Sequence, residues 1–143
     1  MGMALSQGTT MQTIIKVRGY HLDVYQHVNN ARYLEFLEEA RWAWLEKLDA
    51  LRWLSESRLA FIVVNININY RRPAVLGDEL VIDSRLTQLG GKSGVIGQNI
   101  TLRPNGEAIA DAALTFVCID LHSQKAQPIS GELKQKLEQM LAG

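Results

Sequence analysis

The chain has 143 residues, enough for one domain with a full hydrophobic core. It is 47% hydrophobic and 21% charged, which excludes a disordered or fibrous class. Fifteen basic residues balance fifteen acidic ones, so no global field draws nucleic acid or a membrane surface, and any anionic ligand must be held by a local patch.

Residues 1–10 carry no signal-peptide apolar region and read as a flexible leader, with Met11 a candidate second start. Ile14, Ile15 and Val17 suit a first strand over Met11–Val17. A polar loop follows. From Asn29 to Leu48 the apolar positions Tyr33, Leu34, Leu37, Ala40, Ala43, Trp44 and Leu48 recur at helical spacing, opposite Glu35, Glu38, Glu39, Arg41, Glu46 and Lys47. Trp42 lies off that stripe, so contact on more than one side of the helix is expected. A short helix from Asp49 to about Arg58 comes next, with Asp49 as its cap.

The period then changes to two. Ala60–Arg72 alternates as Asn65-Ile-Asn-Ile-Asn-Tyr70 and ends at Pro73. Asn65, Asn67 and Asn69 share one face, turned to solvent, to another subunit or to a ligand groove. Glu79–Leu89, Ser93–Arg103 and Glu107–Leu121 are three further strands, separated by Gly90-Gly91 and by the turn signal Pro104-Asn105-Gly106. Ser130 is placed to cap a C-terminal helix over Gly131–Leu141. Short connections demand antiparallel pairing, so an α+β arrangement is expected: a sheet of about five strands curled around one long helix, in a single domain over 11–143. Cys118, the only cysteine, sits inside the last apolar strand and cannot form an intramolecular disulfide. No apolar run approaches the roughly 20 residues of a membrane-spanning helix, and a cytoplasmic location is expected.

The chemistry concentrates in Tyr20-His-Leu-Asp23-Val-Tyr-Gln-His27-Val-Asn-Asn30-Ala-Arg-Tyr33. Asp23 and His27 stand just before a helix that opens on two asparagines. A helix start offers unpaired N–H donors and the positive end of a dipole. A carboxylate, an imidazole and aimed amides are the parts of an acyl-transfer or hydrolysis site. Asp23 in an Asx-turn and His27 as a packed loop residue are the plainer readings of the same positions. The spacing of His21, Asp23 and His27 matches no metal signature, and no metal or cofactor is implied.

The segment Val17–Arg41, together with Val64-Asn-Ile-Asn-Ile-Asn-Tyr-Arg-Arg-Pro-Ala-Val75, resembles the hotdog-fold 4-hydroxybenzoyl-CoA thioesterase-like family, and most of all its bacterial long-chain acyl-CoA thioesterase branch. The resemblance covers residues 11 to about 141. It implies a hotdog fold, a homodimer or homotetramer with the active site between subunits, and Asp23 in the place of the catalytic aspartate. The plant acyl-carrier thioesterases differ at Tyr25, where they have asparagine, and at Pro73, near which they carry a carboxylate. The benzoyl-CoA members lack the equivalent of His27.

Taken with the resemblance, the residues suggest hydrolysis of long-chain fatty acyl-CoA. Asp23 would attack the carbonyl or activate water, with helix N-terminal amides holding the oxyanion. His27 would position water or the carbonyl, and Asn30 would be a cap first and a donor second. Tyr25 and Tyr33 are substrate-binding candidates. Arg71, Arg72 and Lys92, with Arg103, are candidate clamps for the CoA phosphates. Trp42, Trp44, Phe61 and Ile62 line an acyl tunnel or belong to ordinary core. Glu35, Glu38 and Glu39 read as a solvated face or a second carboxylate. A non-catalytic acyl-CoA binder and a hotdog acyl-thioester dehydratase or hydratase are the rival readings, separable by thiol release and by crotonyl-CoA hydration.

Overall fold

The computed structural model describes residues 10–141. The leader expected over 1–10 lies, Thr10 apart, outside the described residues. Strand β1 (Thr10–Lys16) is followed by a short 3-10 turn at Gly19–His21, helix α1 (Asn30–Lys47) and helix α2 (Ala50–Glu56). Strands β2 (Leu59–Tyr70), β3 (Glu79–Leu89), β4 (Ser93–Arg103), β5 (Glu107–Asp120) and β6 (Ala126–Gln127) lead to helix α3 (Gly131–Met140).

All pairings in the sheet are antiparallel, in the order β1-β3-β4-β5-β2. β4 begins at Ser93 opposite Val117, and β6 takes the next places on β5, Cys118 and Ile119. With β1 and β2 as edges, the sheet curls its apolar face around α1. This is the hotdog arrangement.

Alternation decides that face. Leu80, Ile82 and Leu86 of β3, Ile96 and Ile100 of β4, and Ala112, Leu114, Phe116 and Cys118 of β5 are all buried. Tyr33, Phe36, Leu37 and Ala40 of α1 pack with the Leu80, Ile82, Ile100, Ala112 and Leu114 group. Trp44 packs instead with Leu86, Ile96, Phe116 and Cys118, joined by Leu133 and Leu137 of α3. Each fully buried side chain of this size contributes about 1.5–3 kcal/mol. Gly94 leaves room for the Phe116 ring, since a Cβ there would lie 2.5 Å from it.

A polar belt crosses the core between the two groups. Ser84 and Gln98 are direct partners on β3 and β4 and both are fully buried. Gln98 Nε2 donates to Ser84 Oγ at 2.9 Å and to the Leu37 carbonyl at 3.0 Å. Arg41 Nη1 donates to Gln98 Oε1 at 3.1 Å. Burial lowers the Arg41 pKa, partly opposed by Glu38.

Several boundaries differ from expectation for local reasons. Asn29, not Asn30, caps α1, its side chain accepting from the Ala31 N–H at 2.9 Å. Asp49 precedes α2 but makes no side-chain cap, because its own backbone is left-handed at φ 57°. Ser130 likewise precedes α3 without a side-chain bond. Trp42 remains 51% exposed, but α1 is contacted by α2 as well as by the sheet, as its off-stripe position suggested. The two-residue β6 and the 3-10 turn are too short for any period to reveal. The three asparagines do share a face: Asn65, Asn67 and Asn69 pair with Thr115, Ala113 and Asp111 on the side of the sheet away from α1. The bulge between Val63 and Asn65 sets that phase.

Candidate active site

The motif loop is fastened at both ends. The Val17 N–H donates to the Asp78 carbonyl and the Val28 N–H to the Ala74 carbonyl, both at 2.9 Å. Leu22 and Val28 form an antiparallel bridge. His21 anchors the loop from beneath. Its Nδ1 accepts from the Arg18 N–H and its carbonyl from the Asn29 N–H, each at 2.9 Å. Its ring stands edge-on to Phe36 and Tyr20. Burial, and then the Arg32 guanidinium, lower its pKa, which favours the neutral ring that the Nδ1 acceptor requires.

The carboxylate of Asp23 closes the turn above it. Oδ1 accepts from the Tyr25 N–H at 2.8 Å and from the His27 N–H at 3.3 Å. The Asp23 N–H donates to the His27 carbonyl at 2.8 Å, and its carbonyl accepts from Gln26, whose φ is +62°. The Asx-turn is therefore real, and it immobilises the carboxylate. Oδ2 has no hydrogen-bond partner among the described residues. His27 is exposed and meets Asp23 through its backbone, not its imidazole.

At the start of α1 most donors are already used. The Ala31 N–H bonds the Asn29 side chain and the Arg32 N–H bonds the Asn29 carbonyl. The Asn30 N–H has no partner among the described residues. Tyr70 OH donates to the Asn30 carbonyl at 3.1 Å, tying the end of β2 to this point. Tyr33 packs inside the protein, below the loop surface. It is 2% exposed, and its hydroxyl accepts from the Ala74 N–H at 3.2 Å because that amide is otherwise buried unpaired. Burial raises its pKa. Tyr25 is 76% exposed at the loop tip. Glu35 pairs with Arg32, Glu38 accepts from Trp42 Nε1, and Glu39 is exposed. No group of side chains among the described residues could hold a metal.

The candidate phosphate clamps do not converge. Arg71 and Arg72 lie at the Asp23 end of the sheet but already have carboxylate partners. Arg71 grips Asp111 through Nε at 2.7 Å and Nη2 at 3.3 Å, and Arg72 pairs with Glu107. Arg71, and then Asn69, lower the Asp111 pKa. Arg103 opposes Glu79 at the same end. Lys92 sits at the opposite end of β4, on the order of 30 Å away at about 3.4 Å per residue. Within one protomer Lys92 does not reach Asp23. Parallel periodicities hide this, since chain order says nothing of which strand end lies near which loop.

Beyond the polar belt the structure opens a cavity of about 540 Å³ between α1, α2 and β2. Trp42, Trp44, Phe61 and Ile62 all line it. Arg41 lines it too, a residue that sequence reasoning left on the polar face of α1. Neither Asp23 nor His27 does.

Residues 17–137 match the thioesterase-like superfamily. The chain is 68% identical over 131 residues to the long-chain acyl-CoA thioesterase FadM of Escherichia coli (strain K12), a match covering 92% of this chain and 99% of that one. It is 31% identical over 109 residues to the acyl-CoA thioesterase YbgC of Haemophilus influenzae, covering 75% and 79%. The crystal structure of YbaW, a probable thioesterase from Escherichia coli, superposes with a TM-score of 0.87 at 68% identity, covering 92% and 98%. With the hotdog topology and a turn-held carboxylate at the mouth of α1, these matches place the chain in the thioesterase-like superfamily, as a thioester hydrolase.

Proposed function

We propose that the protein hydrolyses long-chain fatty acyl-CoA to the free acid and CoA, in the cytoplasm, with Asp23 as nucleophile or general base. The observation that carries this reading is the held but half-free carboxylate. Two backbone N–H groups fix Asp23 Oδ1 and, among the described residues, leave both Oδ2 and the Asn30 N–H one short segment on without a partner. Oδ2 attacks the thioester carbonyl, giving a mixed anhydride that water then hydrolyses to the free acid, or it takes a proton from a water that attacks the carbonyl instead. The Asn30 N–H receives the developing oxyanion, and one such donor can be worth about 3 kcal/mol. Thiolate departs without acid help. The exposed His27 imidazole positions water or the carbonyl. The 68% identical relative, a long-chain acyl-CoA thioesterase, supports the long-chain substrate, and the apolar cavity supports an acyl chain running along α1.

We read the working unit as a homodimer, or a tetramer of such pairs. Edge strand β2 presents Ile62, Val64 and Ile66 to solvent, and the motif loop presents Tyr20, Val24 and Tyr25. An unpaired apolar edge of this length calls for a partner strand. Two β2 strands joined antiparallel about a two-fold axis exchange their ends. The partner's Lys92 end then approaches Asp23, which accounts for a lysine that its own protomer leaves remote. Arg71 and Arg72 reach CoA phosphate by exchanging carboxylate for phosphate.

The test is thiol release, followed with a thiol-reactive dye, across acyl-CoAs from acetyl to palmitoyl. Release that rises with chain length is expected. No release from any acyl-CoA ends the proposal.

A further inference from the structure

Two cavities flank α2 and share a wall. The first, of about 540 Å³, lies between α1, β2 and α2. The second, of about 420 Å³, lies between the end of α1, α2 and α3. Leu54, Phe61, Leu137 and Met140 line both. Leu54 is only 6% exposed although it sits on a seven-residue helix, so its side chain fills the partition and not the surface.

The order along α1 matters. The first cavity begins at Glu38, about 12 Å from the helix start at a rise of about 1.5 Å per residue. The second begins at Leu48, near the end of the helix. A chain running from the helix start thus meets the first cavity, then the partition, then the second. The helix bearing Leu54 is bracketed by Asp49 and Arg58, both left-handed at φ 57°. Neither is glycine, so each is held in a sparsely populated conformation, and the wall hangs between two such joints.

We propose that Leu54, backed by Phe61, sets the acyl-chain length that the enzyme accepts. A chain that fills the first cavity ends against Leu54. A longer chain passes into the second cavity, where Arg52, Glu56 and Lys136 stand among the lining residues, so its last methylenes are less well covered. Turnover therefore climbs with length up to the partition and flattens beyond it. This inference rests on the acyl-CoA reading above and adds to it the residue that terminates the site.

The test compares kcat/KM for even-numbered acyl-CoAs from octanoyl to eicosanoyl in wild type, Leu54→Val and Leu54→Phe. Leu54→Val is expected to raise stearoyl and eicosanoyl turnover relative to lauroyl, by up to about fourfold for each methylene newly covered. Leu54→Phe is expected to move the optimum to shorter chains. Octanoyl-CoA stays unchanged in both, because it ends short of the partition. A profile unmoved in both variants, or moved in the opposite sense in either, overturns the role of Leu54 while leaving the hydrolase reading intact. Wild type inert toward every acyl-CoA removes the reading beneath it instead.

Discussion

Asp23→Asn separates the turn-building role of this side chain from the catalytic role proposed for it. Oδ1 only accepts, from Tyr25 and His27 N–H groups at 2.8 and 3.3 Å. An amide oxygen can take both bonds, so the turn should persist. Hydrogen bonds to a charged group are worth about 1.5–3 kcal/mol and to a neutral one about 0.5–1.5 kcal/mol. The loss is then about 1 kcal/mol per bond, and at about 2–4 °C per kcal/mol for a domain of this size the melting point falls by only several degrees. The chemistry fares differently. The amide replaces the free Oδ2 with an NH2 that can neither attack nor accept a proton, and a positioned base is worth about 10²–10⁴ in rate. At about 1.36 kcal/mol per tenfold that is about 2.7–5.4 kcal/mol of barrier. Asp23→Ala should lose both the turn and the rate. The assay is thiol release at saturating palmitoyl-CoA beside a thermal melt. An Asp23→Asn enzyme that melts within several degrees of wild type and keeps more than a tenth of its kcat would show that the carboxylate only builds the loop.

The His21 imidazole has its pKa lowered from 6.5, so the folded state resists a proton that the unfolded chain takes up. Stability is full above that value and falls as pH drops below it; His21→Asn, which keeps an acceptor for Arg18, should flatten the loss in melts between pH 7 and 5. Gln98→Leu leaves buried Ser84 without its partner, at about 1–3 kcal/mol, and removes the acceptor of half-buried Arg41, and should lower the urea midpoint with an unchanged slope. An unmoved midpoint would mean that the polar belt is dispensable. Arg71→Met with Arg72→Met should raise KM for acyl-CoA while leaving kcat near wild type, and should leave an N-acetylcysteamine thioester, which has no phosphates, unaffected. Equal losses on both substrates would assign those arginines to the fold.

The long elements of this fold were legible because their length lets the period show. α1 runs 18 residues with buried positions at helical spacing, and β3, β4 and β5 alternate over 11, 11 and 14 residues. The antiparallel pairing of β3, β4 and β5 followed from their short turns, whereas the places of β1 beside β3 and of β2 beside β5 did not. Buried Gln98 and Ser84 were not singled out, because one polar residue inside an alternating strand looks the same whether it faces water or a guanidinium. Of the two readings offered for Asp23, the Asx-turn is the one observed, and the proposed catalytic role uses the carboxylate oxygen that the turn leaves over.

By itself the sequence determined the class, the helix at the centre, the strands around it and the position of one carboxylate before a helix start, since all of these are set by contacts within a few residues. Only the tertiary structure decided that Tyr33 supports Ala74, that Arg71 and Arg72 are already paired, that Lys92 lies at the far end of the sheet, and that Trp42, Trp44, Phe61 and Ile62 meet around one cavity. Those facts depend on which strand ends come together when the sheet curls, and the closure brings together residues tens of positions apart that no local periodicity relates.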